Sequence, residues 1–383
     1  SDQREYTMKL KLLGLAVTGL LLASCGKKDA EQTAAAPAAA AEEKVLNVYN
    51  WSDYIAPDTL ANFEKETGIK VTYDVFDSNE VLETKLVTGN TGYDVVVPSL
   101  TFLARQIQAG VFMPLDKSKL TNLANLDPDI QANIAVLDPG NAHSVNYLWG
   151  TTGIGYNVKK IKEILGEDAP VDSWSLAFDP AVLAKLKECG VYFLDTPSEI
   201  IPPVLKYLGE EPNSFDPLVI AKAEARLDEL RPSITQFHSS EYINALANGD
   251  ACLAVGWSGD IFQAQARAEE AKNGVEIAYV IPKEGAPMWF DMMAIPKDAK
   301  HPENAHIFIN YILRPEVAAE ISNYVSYASA NKAALPLIDP ELKANTGVYP
   351  TEQAKKGLFS LAVLPAEVDR LFNRIWTGLK TGQ

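Results

Sequence analysis

The stretch YDVVVPS at residues 93–99 decides the fold class, because a continuous apolar run that ends at a proline is typical of a parallel strand buried on both faces. Two further strands are predicted upstream of it, at Val45–Asn50 and Ile69–Phe76. Helices are predicted between these strands, and a third helix follows to Gly110. This alternation of strand and helix predicts a mainly parallel sheet with helices on both faces.

The same alternation returns after residue 180, which indicates a second α/β unit. Strands are predicted at Val191–Asp195, Ala251–Gly256, Val275–Ile281 and Phe290–Ile295, and a helix is predicted from about Pro202 to Leu208. A chain of 383 residues is also long for a single domain. We therefore expect an α/β protein with two lobes, whose ligand lies at the carboxyl ends of the strands.

The charge balance limits the class of partner. The chain has 34 Lys and Arg and 50 Asp and Glu, which give a formal net charge of −16. Because phosphate binding needs a basic face, we expect no nucleic-acid partner. An acidic surface attracts cations, but many bacterial proteins are acidic without a cationic ligand, and charge alone favours that ordinary interpretation.

The N-terminal residues carry the pattern of an export signal. Met8 is followed by two lysines and by the apolar stretch Leu12–Ala23. The end of this stretch overlaps the motif LASC, whose last residue is Cys25. This motif resembles the lipobox of bacterial lipoproteins, in which the cysteine becomes the lipidated first residue. We expect residues 1–24 to be an extension plus a lipoprotein signal peptide, Cys25 to be lipidated, and residues 25–44 to be a flexible tether. A buried N-terminal helix is the alternative.

Three tryptophans are each followed within three positions by an aspartate. The pairs are Trp51 with Asp53, Trp257 with Asp260, and Trp289 with Asp291. An alkyl diamine needs carboxylate oxygens around its ammonium groups and apolar or aromatic walls along its methylenes. Each pair taken alone is more simply a core tryptophan beside a helix-capping aspartate. The position of two pairs after predicted strands favours a shared crevice instead, which Glu199 and Tyr327 could join.

Catalysis has little support in the sequence. Paired carboxylates are used in glycoside hydrolysis, but the chain has no GxSxG, P-loop or HExxH motif. Its four histidines are interpreted as structural or surface residues. We expect a binding protein that is not an enzyme and that has no metal and no cofactor.

The two remaining cysteines, Cys189 and Cys252, each precede a predicted strand. If those strands are parallel neighbours, their starts lie close together, and an even pair in an oxidising compartment favours a disulfide. Two free buried thiols are the alternative.

Several motifs together resemble one known family. They are VYNWSDYI at residues 48–55, YDVVVPS at 93–99, ANGD at 247–250, GWSGD at 256–260 and NKAA at 331–334. The chain resembles the periplasmic putrescine- and spermidine-binding proteins of bacterial polyamine ABC transporters from about Val45 to near the C-terminus. This resemblance implies a type II periplasmic-binding-protein fold, in which two lobes joined by crossing strands close on the ligand. The first lobe would contain residues 45–147 and 270–320, and the second residues 148–269 and 321–383.

The resemblance also implies the ligand-binding residues. Asp260 and Asp291 would hold one ammonium group, and Asp53 and Glu199 would lie toward the other end. The walls and polar contacts would come from Trp51, Ser52, Tyr54, Ser99, Ser239, Trp257, Trp289 and Tyr327. Putrescine receptors of the family tend to have Phe where Trp289 stands, and Trp is similar to the spermidine-preferring members. A Cys189–Cys252 bridge is implied as well.

The resemblance implies a periplasmic monomer that delivers putrescine or spermidine to the permease subunits of an ABC transporter. The N-terminal lipid anchor would be its sole attachment to the membrane. A polyamine-sensing subunit and a receptor for a different small molecule remain alternatives on the same fold. An amino acid ligand would need an arginine for its carboxylate, and none lies in these motifs.

Overall fold

The computed structural model describes residues 40–382, so the predicted signal peptide, Cys25 and most of the tether lie outside the described residues. The ten strands within these residues are β1 (Val45–Trp51), β2 (Lys70–Phe76), β3 (Val95–Val96), β4 (Ser144–Asn157), β5 (Val191–Phe193), β6 (Gln236–Phe237), β7 (Leu253–Trp257), β8 (Ile277–Val280), β9 (Ala286–Ala294) and β10 (Leu358–Phe359). They form one sheet with the order β2-β1-β3-β9-β4-β7-β5-β6, in which β8 also pairs with β4 and β10 with β9.

The α-helices lie between these strands and after them. They are α1 (Thr59–Thr67), α2 (Asn79–Thr88), α3 (Leu100–Gln108), α4 (Pro128–Ala135), α5 (Val158–Leu165), α6 (Ser175–Phe178), α7 (Pro180–Leu186), α8 (Pro197–Tyr207), α9 (Pro217–Leu230), α10 (Tyr242–Asn248), α11 (Ser258–Ala271), α12 (Pro302–Ile312), α13 (Pro315–Val325), α14 (Pro340–Ala344), α15 (Glu352–Lys355) and α16 (Ala366–Thr381). The predicted α/β class is confirmed.

The sheet has two parts that meet at the long strand β4. In the first part, β1 pairs in parallel with β2 and β3, and β9 runs antiparallel to β3 and to the first half of β4. In the second part, β5 pairs in parallel with β6 and β7, while β7 and β8 run antiparallel to the second half of β4. We call these parts, with the helices that connect their strands, the first lobe and the second lobe.

Local sequence explains why the first elements form where they do. Ser78 caps α2 by accepting a hydrogen bond from the Val81 backbone N–H, and α1 ends at Gly68, whose left-handed backbone (φ 72°) suits glycine. The three valines of residues 95–97 are at most 2% exposed. The predicted buried strand is therefore present, although its regular pairing covers only Val95–Val96.

Helix α8 begins earlier than the sequence predicts. The sequence predicts a start near Pro202. In the structure Pro197 is the first residue of the helix, and Pro202 and Pro203 lie inside it. The earlier start matters, because it places Glu199 in the first turn of α8 and not in a loop.

The residue ranges given above for each lobe stay a prediction. That prediction assigned residues 270–320 to the first lobe. Strand β8, which lies in this range, pairs with Ile154–Asn157 of β4, in the second lobe as the sheet defines it. Strand β9 of the same range pairs with β3, as a first-lobe strand should.

A disulfide joins Cys189 and Cys252, with their Cα atoms 5.5 Å apart. Val191 of β5 and Leu253 of β7 are direct partners in parallel strands, so the cysteines just before them are brought together. The predicted bridge is confirmed.

We expect the double variant Cys189→Ser, Cys252→Ser to lose free energy of unfolding, because the bridge closes a loop across a sequence separation of 63. The chain-entropy model puts the loss at about 4 kcal/mol. Urea denaturation with and without reductant measures it. Reductant should lower the midpoint of the wild type and leave the variant unchanged, and equal midpoints for all samples would contradict the expectation.

Candidate ligand-binding cleft

A narrow cavity, with about 20 Å³ of space for the centre of a water molecule, lies where β4 passes from one lobe to the other. Its lining consists of Trp51, Ser52, Tyr54, Ser99, Glu199, Trp257, Asp260, Trp289, Asp291 and Tyr327. These residues come from the ends of β1, β3 and β7, from the first turns of α8 and α11, from β9, and from the segment after α13. Ten of the twelve residues predicted to bind ligand therefore line one cavity between the lobes.

The two other predicted residues, Asp53 and Ser239, do not line this cavity. Asp53 has a left-handed backbone (φ 57°), and its carboxylate forms an ion pair with Arg267 at 3.2 Å. The Ser239 hydroxyl accepts a hydrogen bond from the Asp195 backbone N–H at 2.9 Å. Both side chains thus have partners outside the cavity, and sequence position alone does not give the direction of a side chain in a turn.

Asp260 lies in the first turn of α11, where two tyrosines hold its carboxylate. The Tyr242 hydroxyl donates to Oδ2 at 2.6 Å, and the Tyr327 hydroxyl donates to Oδ1 at 2.8 Å. Each hydroxyl is itself fixed, since Tyr242 accepts from the Trp257 backbone N–H and Tyr327 from that of Asp260. The protein's own hydrogen bonds therefore fix the orientation of this carboxylate.

Asp291 lies on β9 and has two hydroxyl donors of its own. Tyr54 donates to Oδ2 and Ser99 donates to Oδ1, both at 2.6 Å. Ser99 is in turn bonded to the side chain of Asn79, which donates to its hydroxyl and accepts from its backbone N–H. The loop after β1, the N-cap residue of α3 and the first residue of α2 thus support this one acid.

Glu199 accepts a hydrogen bond from the Thr152 hydroxyl at 2.7 Å. The indole Nε1–H of Trp289 donates to the same Thr152 oxygen at 3.1 Å. Thr152 therefore couples the position of an acid from the second lobe to that of a ring carried by β9.

Burial dominates the electrostatics of the three acids. It raises the pKa of Glu199, Asp260 and Asp291 to about 7 each, against the lowering effect of their hydroxyl donors. Among residues 40–382, no group of three or more His, Cys, Asp or Glu is arranged to hold a metal ion. Three buried acids in one cavity suit a ligand with several positive charges, which would pair with their ionised forms.

Aromatic rings form the rest of the wall. Trp51 and Trp257 pack edge to face with centroids 5.4 Å apart, and Tyr54 and Tyr327 do so at 5.0 Å. Trp289 packs against Tyr327 at 5.6 Å. Such rings offer apolar surface to methylene groups and negative ring faces to cations.

Three supporting residues were not predicted from the sequence: Asn79, Thr152 and Tyr242. Each acts on a predicted site residue and carries no motif of its own. A signal for Tyr242 exists in the motif GWSGD, because a Cβ on Gly256 would lie 2.5 Å from the Tyr242 ring. The glycine makes room for the tyrosine that holds Asp260.

Comparison with known proteins places this geometry in a family. Residues 58–350 match the model of the bacterial extracellular solute-binding protein family. The chain is 57% identical over 345 residues to the putrescine-binding periplasmic protein PotF of Escherichia coli strain K12, with 90% of this chain and 93% of that protein covered. It is 55% identical over 346 residues to the putrescine-binding periplasmic protein SpuD of Pseudomonas aeruginosa strain UCBPP-PA14, with 90% and 94% covered.

A solved structure supports the same assignment. It is a putative spermidine/putrescine ABC transporter protein from Listeria monocytogenes, 34% identical, with a TM-score of 0.80 over 89% of this chain and all of that chain. The predicted two-lobed type II fold is thereby confirmed. Among residues 40–382, no helix is long and apolar enough to cross a membrane. The chain therefore belongs to the bacterial extracellular solute-binding proteins, and the family predicted from its motifs is confirmed.

Proposed function

We propose that this protein captures a polyamine in the cleft between its lobes and delivers it to an ABC transporter for import. The observation that carries the proposal is the presence of three buried carboxyl groups, Glu199, Asp260 and Asp291, in one aromatic-walled cavity. Buried acids are tolerated when cations pair with them, and a polyamine supplies two or more cations on one apolar chain.

The proposed ligand lies extended along the cavity. Asp260 and Asp291 hold one ammonium group, and Glu199 lies toward the other. Support comes from the tyrosines that bond the two aspartates, since Tyr327 and Tyr54 pack against each other and so bring Asp260 and Asp291 to the same end. Trp51, Trp257 and Trp289 then flank the methylene chain.

The names of relatives support this ligand class. Besides the two putrescine-binding proteins, a putrescine/agmatine-binding protein of Pseudomonas aeruginosa is 46% identical over 91% of this chain. The ligand binds without being transformed, and the permease subunits of an ABC transporter are the proposed partner. We also propose that the protein is a periplasmic monomer, and the LASC motif supports a lipid anchor on Cys25.

Isothermal titration calorimetry with putrescine, cadaverine, spermidine and agmatine tests the function. We expect at least one of these to bind with a dissociation constant of about 1 µM or lower, which is about −8 kcal/mol. Butylamine, which keeps the chain and one charge of putrescine, should bind at least about 100-fold more weakly, because one end of the cleft keeps an unpaired acid.

Two outcomes would refute the proposal: no measurable binding of any of the four polyamines, or equal affinity for putrescine and butylamine. Analysis of the incubated ligand by NMR addresses catalysis. We expect the polyamine to be recovered unchanged, and a product formed in step with protein concentration would show an enzyme instead.

The close packing of Gly259 gives a further prediction. A Cβ at this position would lie 2.3 Å from the Tyr327 ring, which bonds Asp260. We expect Gly259→Ala to displace the ring and weaken putrescine binding about tenfold or more, since overpacking costs about 1–3 kcal/mol. Gly357→Ala is the control, because its added Cβ would meet no atom closer than 3.6 Å. Equal affinities of the two variants by calorimetry would argue against the described role of Tyr327.

A further inference from the structure

Glu80 makes hydrogen bonds across the cleft, outside the ligand cavity. It lies in the first turn of α2, in the first lobe. Its carboxylate accepts from the Thr196 hydroxyl at 2.9 and 3.0 Å and from the Ser198 hydroxyl at 2.7 Å. Both donors lie at the start of α8, in the second lobe, so the contact needs the two lobes to be together.

The local structure of α8 fits this contact. Thr196 is the N-cap residue of α8, a position where a threonine oxygen ordinarily accepts from the backbone of its own helix. Thr196 makes no such bond, and its hydroxyl is donated to Glu80 instead. A carboxylate beside a helix N-terminus is also favoured by the helix dipole. The start of α8 can therefore bind an acidic side chain of the first lobe through its hydroxyl donors and its helix dipole.

This contact adjoins the supports of two ligand-binding acids. Glu199 directly follows Ser198 in the first turn of α8. On the other side, Asn79 directly precedes Glu80 and bonds Ser99, which donates to Asp291. The first turn of α2 therefore links the position of Asp291 to that of Glu199.

We propose that Glu80, Thr196 and Ser198 form a latch that exists only when the lobes are closed, holds the start of α8 with Glu199 in place, and slows the release of the ligand. This inference rests on the proposed function, and it assigns to Glu80 a positioning role without ligand contact.

Electrostatics couple the latch to the ligand. Thr196 and Ser198 are at most 7% exposed, so closure removes Glu80 from much of its water and replaces it with these hydroxyls. Burial raises the pKa of Glu80, and the charge of Glu80 contributes to the raised pKa of Glu199. A bound ammonium group neutralises Glu199 and so removes repulsion against Glu80. Ligand binding and latch formation therefore favour each other.

A double-mutant cycle with Glu80→Ala and Ser198→Ala tests the latch, with putrescine dissociation followed by stopped-flow competition. We expect each single variant to dissociate about tenfold faster, as for a lost hydrogen bond to a charged group, and the double variant to be no faster than the faster single variant. Association rates and the melting temperatures without ligand should change little, because the latch acts in the closed state.

Glu66→Ala is the matched control. It also removes one acid from the first lobe, but Glu66 pairs with Arg314, the N-cap residue of α13, and not with α8. We expect its dissociation rate to stay within about twofold of the wild type. Unchanged dissociation in Glu80→Ala, or fully additive effects in the double variant, would overturn the latch. Failure of the wild type to bind any polyamine would instead overturn the proposed function.

Discussion

Replacement of Asp260 by alanine should abolish most of the affinity for putrescine while the fold remains intact. An ammonium group in the closed cleft would lose a carboxylate that two tyrosines hold in position. The loss of one partner from a buried charge pair costs about 3–5 kcal/mol, so the dissociation constant should rise by a factor of about 10²–10⁴. Calorimetry measures the affinity, and thermal melting without ligand checks the fold.

Asp250→Ala is the control for this variant. Asp250 is an exposed acid in the turn before β7, so its removal changes the net charge equally without touching the cavity. We expect its affinity to stay near that of the wild type. If Asp260→Ala binds putrescine as tightly as Asp250→Ala does, Asp260 is not a ligand partner.

Acidification should release the ligand. Burial raises the pKa of the carboxyl groups of Glu199, Asp260 and Asp291 to about 7 each, whereas a bound dication needs them ionised. Lowering the pH from 7 to 5 should cost a factor of about 50 in affinity for each acid that must lose its proton. The amines of the ligand stay charged throughout, since alkylamines titrate near pH 10.

The same raised pKa values act in the opposite direction on the stability of the protein without ligand. The folded pKa values lie above the ordinary values of 3.8 and 4.5, so the folded state binds more protons than the unfolded state between about pH 4 and 7. The contribution of these acids to the free energy of unfolding is therefore fully present below pH 4 and is lost as the pH rises through 7. Bound putrescine should offset that loss.

Titrations at pH 7 in two buffers with different ionisation enthalpies measure the linked protons. Three half-protonated acids predict the release of about one to two protons per ligand bound. Affinity that is constant from pH 5 to 8, with no proton release, would contradict the described burial of the acids.

The first lobe could be predicted well because its signals are local. Strands β1 and β2 begin and end within one residue of their predicted places. The long strand β4 was not predicted, because Gly150, Gly153 and Gly155 weaken its strand pattern. Glycine is needed at two of these positions because residues distant in the sequence pack closely against the strand. A Cβ at Gly153 would lie 2.4 Å from the Val280 carbonyl oxygen, and one at Gly155 would lie 2.8 Å from Ile261.

The candidate site could also be predicted only in part. Acidic and aromatic residues at strand ends could be predicted, because the carboxyl ends of the strands in an open α/β sheet meet at one crevice. The partners that orient them could not. Thr152 and Tyr242 lie within a strand and at a helix start, and only three-dimensional packing brings them to Glu199 and Asp260. The same holds for Asp53, which the motif suggests as a ligand residue and which Arg267 engages outside the cavity.

A crystal structure of the protein with putrescine tests the central claim, that acids and rings of both lobes enclose one extended dication. We expect one ammonium nitrogen within about 3 Å of carboxylate oxygens of Asp260 and Asp291, and the other on the side of Glu199. The methylenes should lie against Trp257 and Trp289. A ligand bound outside this cavity, or bound in it without contact to any of the three acids, would contradict the account.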